Sequence, residues 1–351
     1  MGELTRITGR DAVDHEPSGG RGIRRALGRL NKLVFVLLFI GALVWMLADL
    51  LGVGTSGTKW VFLTRRNILN VLNQVSINAV IAFGMTLVIL TKGIDLSVGS
   101  VVAATGVFLS ILFVDVKMPL WFAYACTLLA GALAGLFNGA LVAFFRLPAF
   151  IATLGSFTIF RGLAFLMVDG KAKFVSDRSF KIVGNGFLDL YFFPVPWAVV
   201  IMLAVFAVFH FLMAMTTFGR KIYFLGGNER AAKLVGIDAR LTRLAIFGIM
   251  GLMTGIGGIM VASRLGSGSP NIGTGYEMDA IAAVVVGGTS FLGGKGTVVG
   301  TLLGAITIGI IANGMNLMGI SPYFQYLAKG LIILLAVILS SDFSSFGAKR
   351  K

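Results

Sequence analysis

Few residues in this chain have types and spacings that could make or break bonds. The two histidines are far apart, His15 in a polar leader and His210 inside an apolar run, and the single cysteine, Cys126, is also in an apolar run. There is no His/Cys metal cluster and no nucleophile–base pair. Cys126 reads as a small packing residue, and His210 as a packing residue rather than a proton relay. One stretch, Gly293-Gly294-Lys295-Gly296-Thr297, looks like a phosphate loop. A working loop needs Gly, four residues, then Gly-Lys-Ser/Thr. Here Gly296 follows Lys295, and Thr289 stands where the first glycine belongs. The chain is expected to be no enzyme and to use no cofactor, so any nucleotide energy must arrive through another chain.

Other polar residues could act without bond chemistry. Asn67, Asn70, Asn73, Gln74 and Asn78 punctuate one apolar stretch. At 100° per residue Asn67, Gln74 and Asn78 fall within about 40° of one another, with Asn70 about 60° to one side. Buried amides need partners. They either line a polar route or form an interhelical hydrogen-bond seam, worth about 0.6 kcal/mol per pair. Asp95 follows a break at Gly93, where it can cap a half-helix starting near Leu96 or serve function directly, as buried intramembrane acids do. Arg161 and Lys329 lie within apolar runs and are expected to snorkel to an interface.

The elements that must hold these residues are membrane helices. Of the 351 residues 57% are hydrophobic and 13% charged, against roughly 25% charged in soluble domains. The runs Ile68 to Leu90, Leu96 to Val114, Met118 to Phe145 and Leu244 to Ser263 contain no charge, and a helix crosses the hydrocarbon in about 20 residues. Only helices or closed barrels satisfy their backbone in lipid, and these runs lack a barrel strand's alternation. The expected fold is an all-α polytopic bundle of ten membrane segments: 33–52, 68–91, 96–115, 119–145, 148–168, 195–216, 243–263, 278–292, 296–316 and 322–341. Those near 96 and 278 adjoin glycine-rich breaks and read as broken or re-entrant helices. Residues 1–32 read as a disordered leader, 33–341 as the transmembrane domain and 342–351 as a short tail.

The net charge of +15 does not indicate nucleic acid, because the basic residues cluster at the ends of apolar runs. The positive-inside rule then places both termini in the cytoplasm. An internal repeat is suggested by Gly99-Ser100-Val101-Val102 beside Gly296-Thr297-Val298-Val299, and by Pro148-Ala149-Phe150 beside Pro322-Tyr323-Phe324. The two pairs differ in spacing by about one helix, and small residues also serve close packing.

Residues 218–243 are the longest charged internal stretch on the expected cytoplasmic side. Asn228 suits an N-cap and Gly236 a C′ position, framing a helix of about two turns from Glu229 to Val235, with glycines at 226 and 227 for a sharp turn. The stretch is either a docking element or an ordinary charged loop.

Three sets of residues carry a family resemblance. The first is Gly219-Arg220-Lys221-Ile222-Tyr223, Gly226-Gly227-Asn228-Glu229-Arg230-Ala231-Ala232-Lys233 and Gly236-Ile237. The second is Thr91-Lys92-Gly93-Ile94-Asp95-Leu96-Ser97-Val98-Gly99-Ser100, and the third Gly273 to Ser290 with Asn313-Gly314-Met315-Asn316-Leu317 and then Tyr323 to Leu339. Together they resemble the permeases of ribose-type ABC importers, within the wider group that includes branched-chain amino-acid permeases. The resemblance covers roughly 60 to 341. It implies an inner-membrane permease that moves a monosaccharide by alternating access, with cytosolic ATPase subunits, a periplasmic binding protein and a second permease copy as partners. It also implies ATPase coupling through Gly219, Arg220, Gly226, Gly227, Asn228, Glu229, Ala231, Ala232, Gly236 and Ile237. On that reading Asn67, Asn70, Gln74, Asn78, Asp95 and Ser97 border the sugar's path. An ion-coupled secondary transporter is the alternative; it would want buried acids, for which only Asp95 and Asp279 qualify.

Overall fold

The computed structural model describes residues 61–62, 64–190 and 193–340, together with Gly41. The expected leader, the first span at 33–52 and the tail at 342–351 lie outside the described residues. Twelve helices follow: α1 (Arg65–Leu90), α2 (Val98–Val114), α3 (Leu120–Ala143), α4 (Ala149–Leu166), α5 (Ile182–Asn185), α6 (Trp197–Met215), α7 (Thr217–Gly227), α8 (Glu229–Leu234), α9 (Ala239–Leu265), α10 (Tyr276–Val286), α11 (Val298–Leu317) and α12 (Pro322–Ser340). Two short antiparallel strand pairs interrupt the helical pattern, Phe187–Leu190 with Phe193–Pro196 and Lys173–Phe174 with Ser267–Gly268.

Six of these helices, α1, α3, α4, α6, α9 and α11, are long and apolar enough to cross a membrane. The segments expected at 96–115 and 322–341 are also helical. The segment expected at 278–292 is not a span of its own. Its helix, α10, has 11 residues and reaches about 16 Å, half the hydrocarbon thickness. Gly287 and Gly288 end it.

The centre of the bundle is α1 and α9. From Asn73 to Leu90 nearly every α1 side chain is buried, as expected of a helix apolar on all sides. Phe83 of α1 meets Phe206 and Phe209 of α6 at centroid distances of 5.9 and 6.1 Å. Against α9, α3 presents a stripe of Thr127, Gly131, Gly135, Asn138 and Gly139. Lipid provides no hydrophobic drive between helices, so close backbone approach has to hold them. A Cβ on Gly131 would stand 2.6 Å from the Gly251 carbonyl, and one on Gly135 2.7 Å from the Gly251 Cα. The opposite face of α3 exposes Trp121, Phe122, Leu129, Leu133 and Phe137.

The order of a long helix, a break, a short helix and two further helices occurs twice, as α1–α4 and as α9–α12. In that register Pro148 and Pro322 open equivalent helices. Gly99 and Gly296 do not match, since one lies at the start of α2 and the other precedes α11. The equivalent of α2 is α10, which corrects the glycine pairing and accounts for the offset of one helix.

Candidate functional site

The stretch expected to dock a partner forms two consecutive helices. Asn228 Oδ1 accepts from Arg230 N and Ala231 N at 3.0 and 3.1 Å, starting α8. At the other end Gly236, at φ +79, takes the left-handed C′ position. Gly236 N donates to Lys233 O and Ile237 N to Ala232 O, at 3.1 and 3.0 Å. This is a Schellman closure, and the apolar contact that accompanies such closures is present, because Ala232 and Ile237 join Leu225 and Ala239 in a small core. Glu229 pairs with Lys233 at 3.0 Å and with Arg243 of α9 at 2.5 Å. Its carboxyl is held below the ordinary range by the Arg243 hydrogen bond, and Lys233 acts in the same direction. Arg220, Ala231 and Lys233 are exposed, and Leu234 projects with 89% of its surface free.

Gly226 and Gly227 do not turn the chain. Both lie in the last turn of α7, a helix hidden in the sequence by its glycines, and the turn is made at Asn228. A Cβ on Gly226 would overlap the Leu90 carbonyl and stand 2.7 Å from Gly294 N, so its role is close approach. Gly219 does similar work at the start of α7, where a Cβ would meet the Leu212 and Met213 carbonyls at 2.6 and 2.5 Å.

The polar face of α1 divides into two parts. Asn67 exchanges hydrogen bonds with Asn313 of α11, at 3.0 and 2.9 Å, which makes it part of a seam. Asn70 is exposed, Gln74 half-buried and Asn78 buried, and none of the three side-chain amides hydrogen-bonds another described residue. Asn73 keeps a buried Oδ1 without a partner among the described residues.

Asp95 lies before the N-cap of α2, which is Ser97, so the helix starts later than expected. Asp95 Oδ1 accepts from Ser97 N at 2.9 Å and Ser97 Oγ at 2.6 Å. Asn138 of α3 donates to Ser97 Oγ at 2.8 Å. On the other side Thr153 of α4 donates to Ile94 O and accepts from Leu96 N, both at 3.1 Å. Irregular backbone at membrane depth needs such partners, and the bonds of Asp95 and Ser97 stitch the break.

Arg161 and Lys329 both have partners within the bundle. Arg161 donates to the carbonyls of Pro270 and Ile272, at 2.5 and 2.9 Å, and so satisfies the irregular segment before α10. Lys329 of α12 pairs with Asp279 of α10 at 2.6 Å, both largely buried. Glu277, one of two acids in the first turn of α10, was not singled out in the sequence; its Oε2 lies against Gly99. The Tyr276-Glu277-Met278-Asp279 string, with two acids at the start of an apolar helix, was the available signal. His210 stacks on Phe206 at 5.8 Å.

A polytopic helical membrane protein with broken helices and a stiff, charged helix pair between α6 and α9 has the build of a transport permease. The family described as "Branched-chain amino acid transport system / permease component" matches residues 67–337, and the chain belongs to it. The ribose import permease protein of Haemophilus influenzae is 46% identical over 281 residues, covering 79% of this chain and 85% of that one. The ribose import permease protein of Escherichia coli (strain K12) is 44% identical, covering 80% and 87%. The xylose transport system permease protein of the same strain is 33% identical, covering 90% and 93%. No solved structure matches the chain.

Proposed function

We propose that this chain is the membrane-spanning subunit of an ATP-driven importer that carries a pentose inward by alternating access. Ribose is the first candidate, because the ribose permeases are similar at 46% and 44% identity against 33% for the xylose permease. In this reading two copies form the path and a periplasmic binding protein delivers the sugar. Cytosolic ATPase subunits dock on α7–α8. Gln74 and Asn78, with amides not bonded to other described residues, face the sugar. The observation that carries the coupling role is the double capping of α8, which makes a short exposed element stiff enough to transmit displacement. The chain's only phosphate-loop lookalike fails, so the energy has to enter by contact.

The test is a pair of proline substitutions. Ala232 is fully buried and its N–H donates to Asn228 O at 2.9 Å. Ala232→Pro breaks α8 at a cost of about 3 kcal/mol. Glu229 occupies the first helical position, where proline is tolerated, so Glu229→Pro loses only partly exposed ion pairs. Ala232→Pro should uncouple ATP hydrolysis from ribose uptake in proteoliposomes, with insertion preserved, and Glu229→Pro should do so far less. Normal coupled uptake by Ala232→Pro would refute the coupling role. Uptake driven by a proton gradient without ATP would favour the ion-coupled alternative.

A further inference from the structure

Three backbones meet at the end of α7, with the Lys92 side chain at the edge of the contact beside Gly293. Gly294, in the loop joining α10 to α11, donates its N–H to the carbonyl of Leu90, the last residue of α1, at 2.9 Å. Gly226 of α7 lies against both, and its missing Cβ is what permits the approach. A Cβ on Gly293 would come within 2.7 Å of Gly226 O, and one on Gly294 within 2.8 Å of Gly227 N. Gly293 and Gly294 have φ of +78 and +71, a left-handed conformation that glycine alone adopts without strain. One turn earlier Tyr223 donates its hydroxyl to Gly296 O at 2.9 Å.

The loop is not slack. Ser290 N donates to Lys295 O at 2.8 Å and Gly293 N to Ser290 O at 3.0 Å. Beyond it α10 and α11 are pressed together, since a Cβ on Gly304 would stand 2.8 Å from Gly287 N. A side-chain contact can absorb displacement by changing rotamer, whereas a backbone contact cannot. The loop also differs from the other contacts of α7 in what it reaches. It leads to α10, which carries Glu277 and Asp279, and to α11, which carries Asn313, while Leu90 leads to α1 with Gln74 and Asn78.

We propose that Tyr223, Gly226 and Gly294 form the transmission joint of the permease. Through it, displacement of α7–α8 moves α1 and the α10–α11 hairpin as one unit. The inference rests on the coupling role proposed for α8, and it adds the route that the displacement takes and the helices that move.

The test uses the assembled importer in proteoliposomes, with its ATPase and ribose-loaded binding protein. It measures ATPase retention, ATP hydrolysis and ribose uptake per ATP hydrolysed. Gly226→Ala should retain the ATPase and hydrolyse ATP while uptake per ATP falls to background. Tyr223→Phe removes one hydrogen bond without adding bulk, and should lower uptake per ATP by about fivefold, the factor that one net hydrogen bond carries. If Gly226→Ala does not assemble, Tyr223→Phe decides alone. Unchanged uptake per ATP in Tyr223→Phe overturns the joint, as does release of the ATPase by Gly226→Ala with Tyr223→Phe fully coupled. Failure of the α8 reading is separate, since it shows as normal coupling in Ala232→Pro, a variant that leaves all three backbones at the joint untouched.

Discussion

Gln74 and Asn78 are the residues on which path and seam can be told apart. Neither amide bonds another described residue, so Gln74→Leu with Asn78→Leu removes no helix–helix bond among them. Ribose uptake should fall while the protein inserts and retains its ATPase, and a failure to assemble would return both residues to the seam. Asn67 does bond across to another helix, and because its partner Asn313 is 246 positions away no spacing rule within one helix could reveal it. The same distance problem hid the Asp279–Lys329 pair behind an expectation of snorkelling. Lys329→Met leaves a buried carboxylate unpaired and should cost about 3–5 kcal/mol, whereas replacing both partners with apolar residues should cost far less. Thermal unfolding of the purified variants in detergent would compare them, and equal losses would show that the pair is not coupled.

At the scale of elements, the caps of α8 were legible because Asn228 and Gly236 each satisfy a local geometric demand. The helix before it was not, since Gly219, Gly226 and Gly227 suggest turns unless the neighbouring backbones are known. The length of α10 was equally hidden, because its apolar run continues past the point where Gly287 and Gly288 end the helix. The pairing of Glu229 with Arg243 ties α8 to α9, and its pH dependence has a definite sign. The carboxyl's folded pKa lies below its unfolded value. Its contribution is therefore fully present above the unfolded value and is lost as pH falls through the folded one. The hydrogen-exchange protection of the α8 amides, each rate being divided by its intrinsic rate at the same pH, should be steady from neutral to mildly acid pH and then fall below the ordinary carboxylate range. Glu229→Gln should remove that step, and a step that persists in this variant would assign it to another group.

For the molecule as a whole, the ends of α1, α7–α8 and the glycine loop lie on one side, as they must if α1, α6 and α9 each cross the membrane once. By the positive-inside rule the basic residues of 218–243 are expected to put that side in the cytoplasm, and both termini should share it. A reporter fused at the C-terminus should be active in the cytoplasm, and a periplasmic signal would overturn the even number of crossings. Polytopic class and most spans could be read from the sequence because lipid imposes length and charge rules on every crossing helix. The order of packing could not, because it depends on where helices lack side chains. At the crossing of α3 with α9 the two helices meet at Gly131, Gly135 and Gly251, where even a methyl group has no room. Selection at those positions acts on an absence. Leu129, Leu133 and Phe137 on the exposed side of α3 can be exchanged among apolar residues without touching that crossing. The three glycines have no such alternative, so proteins that share this crossing are expected to keep all three.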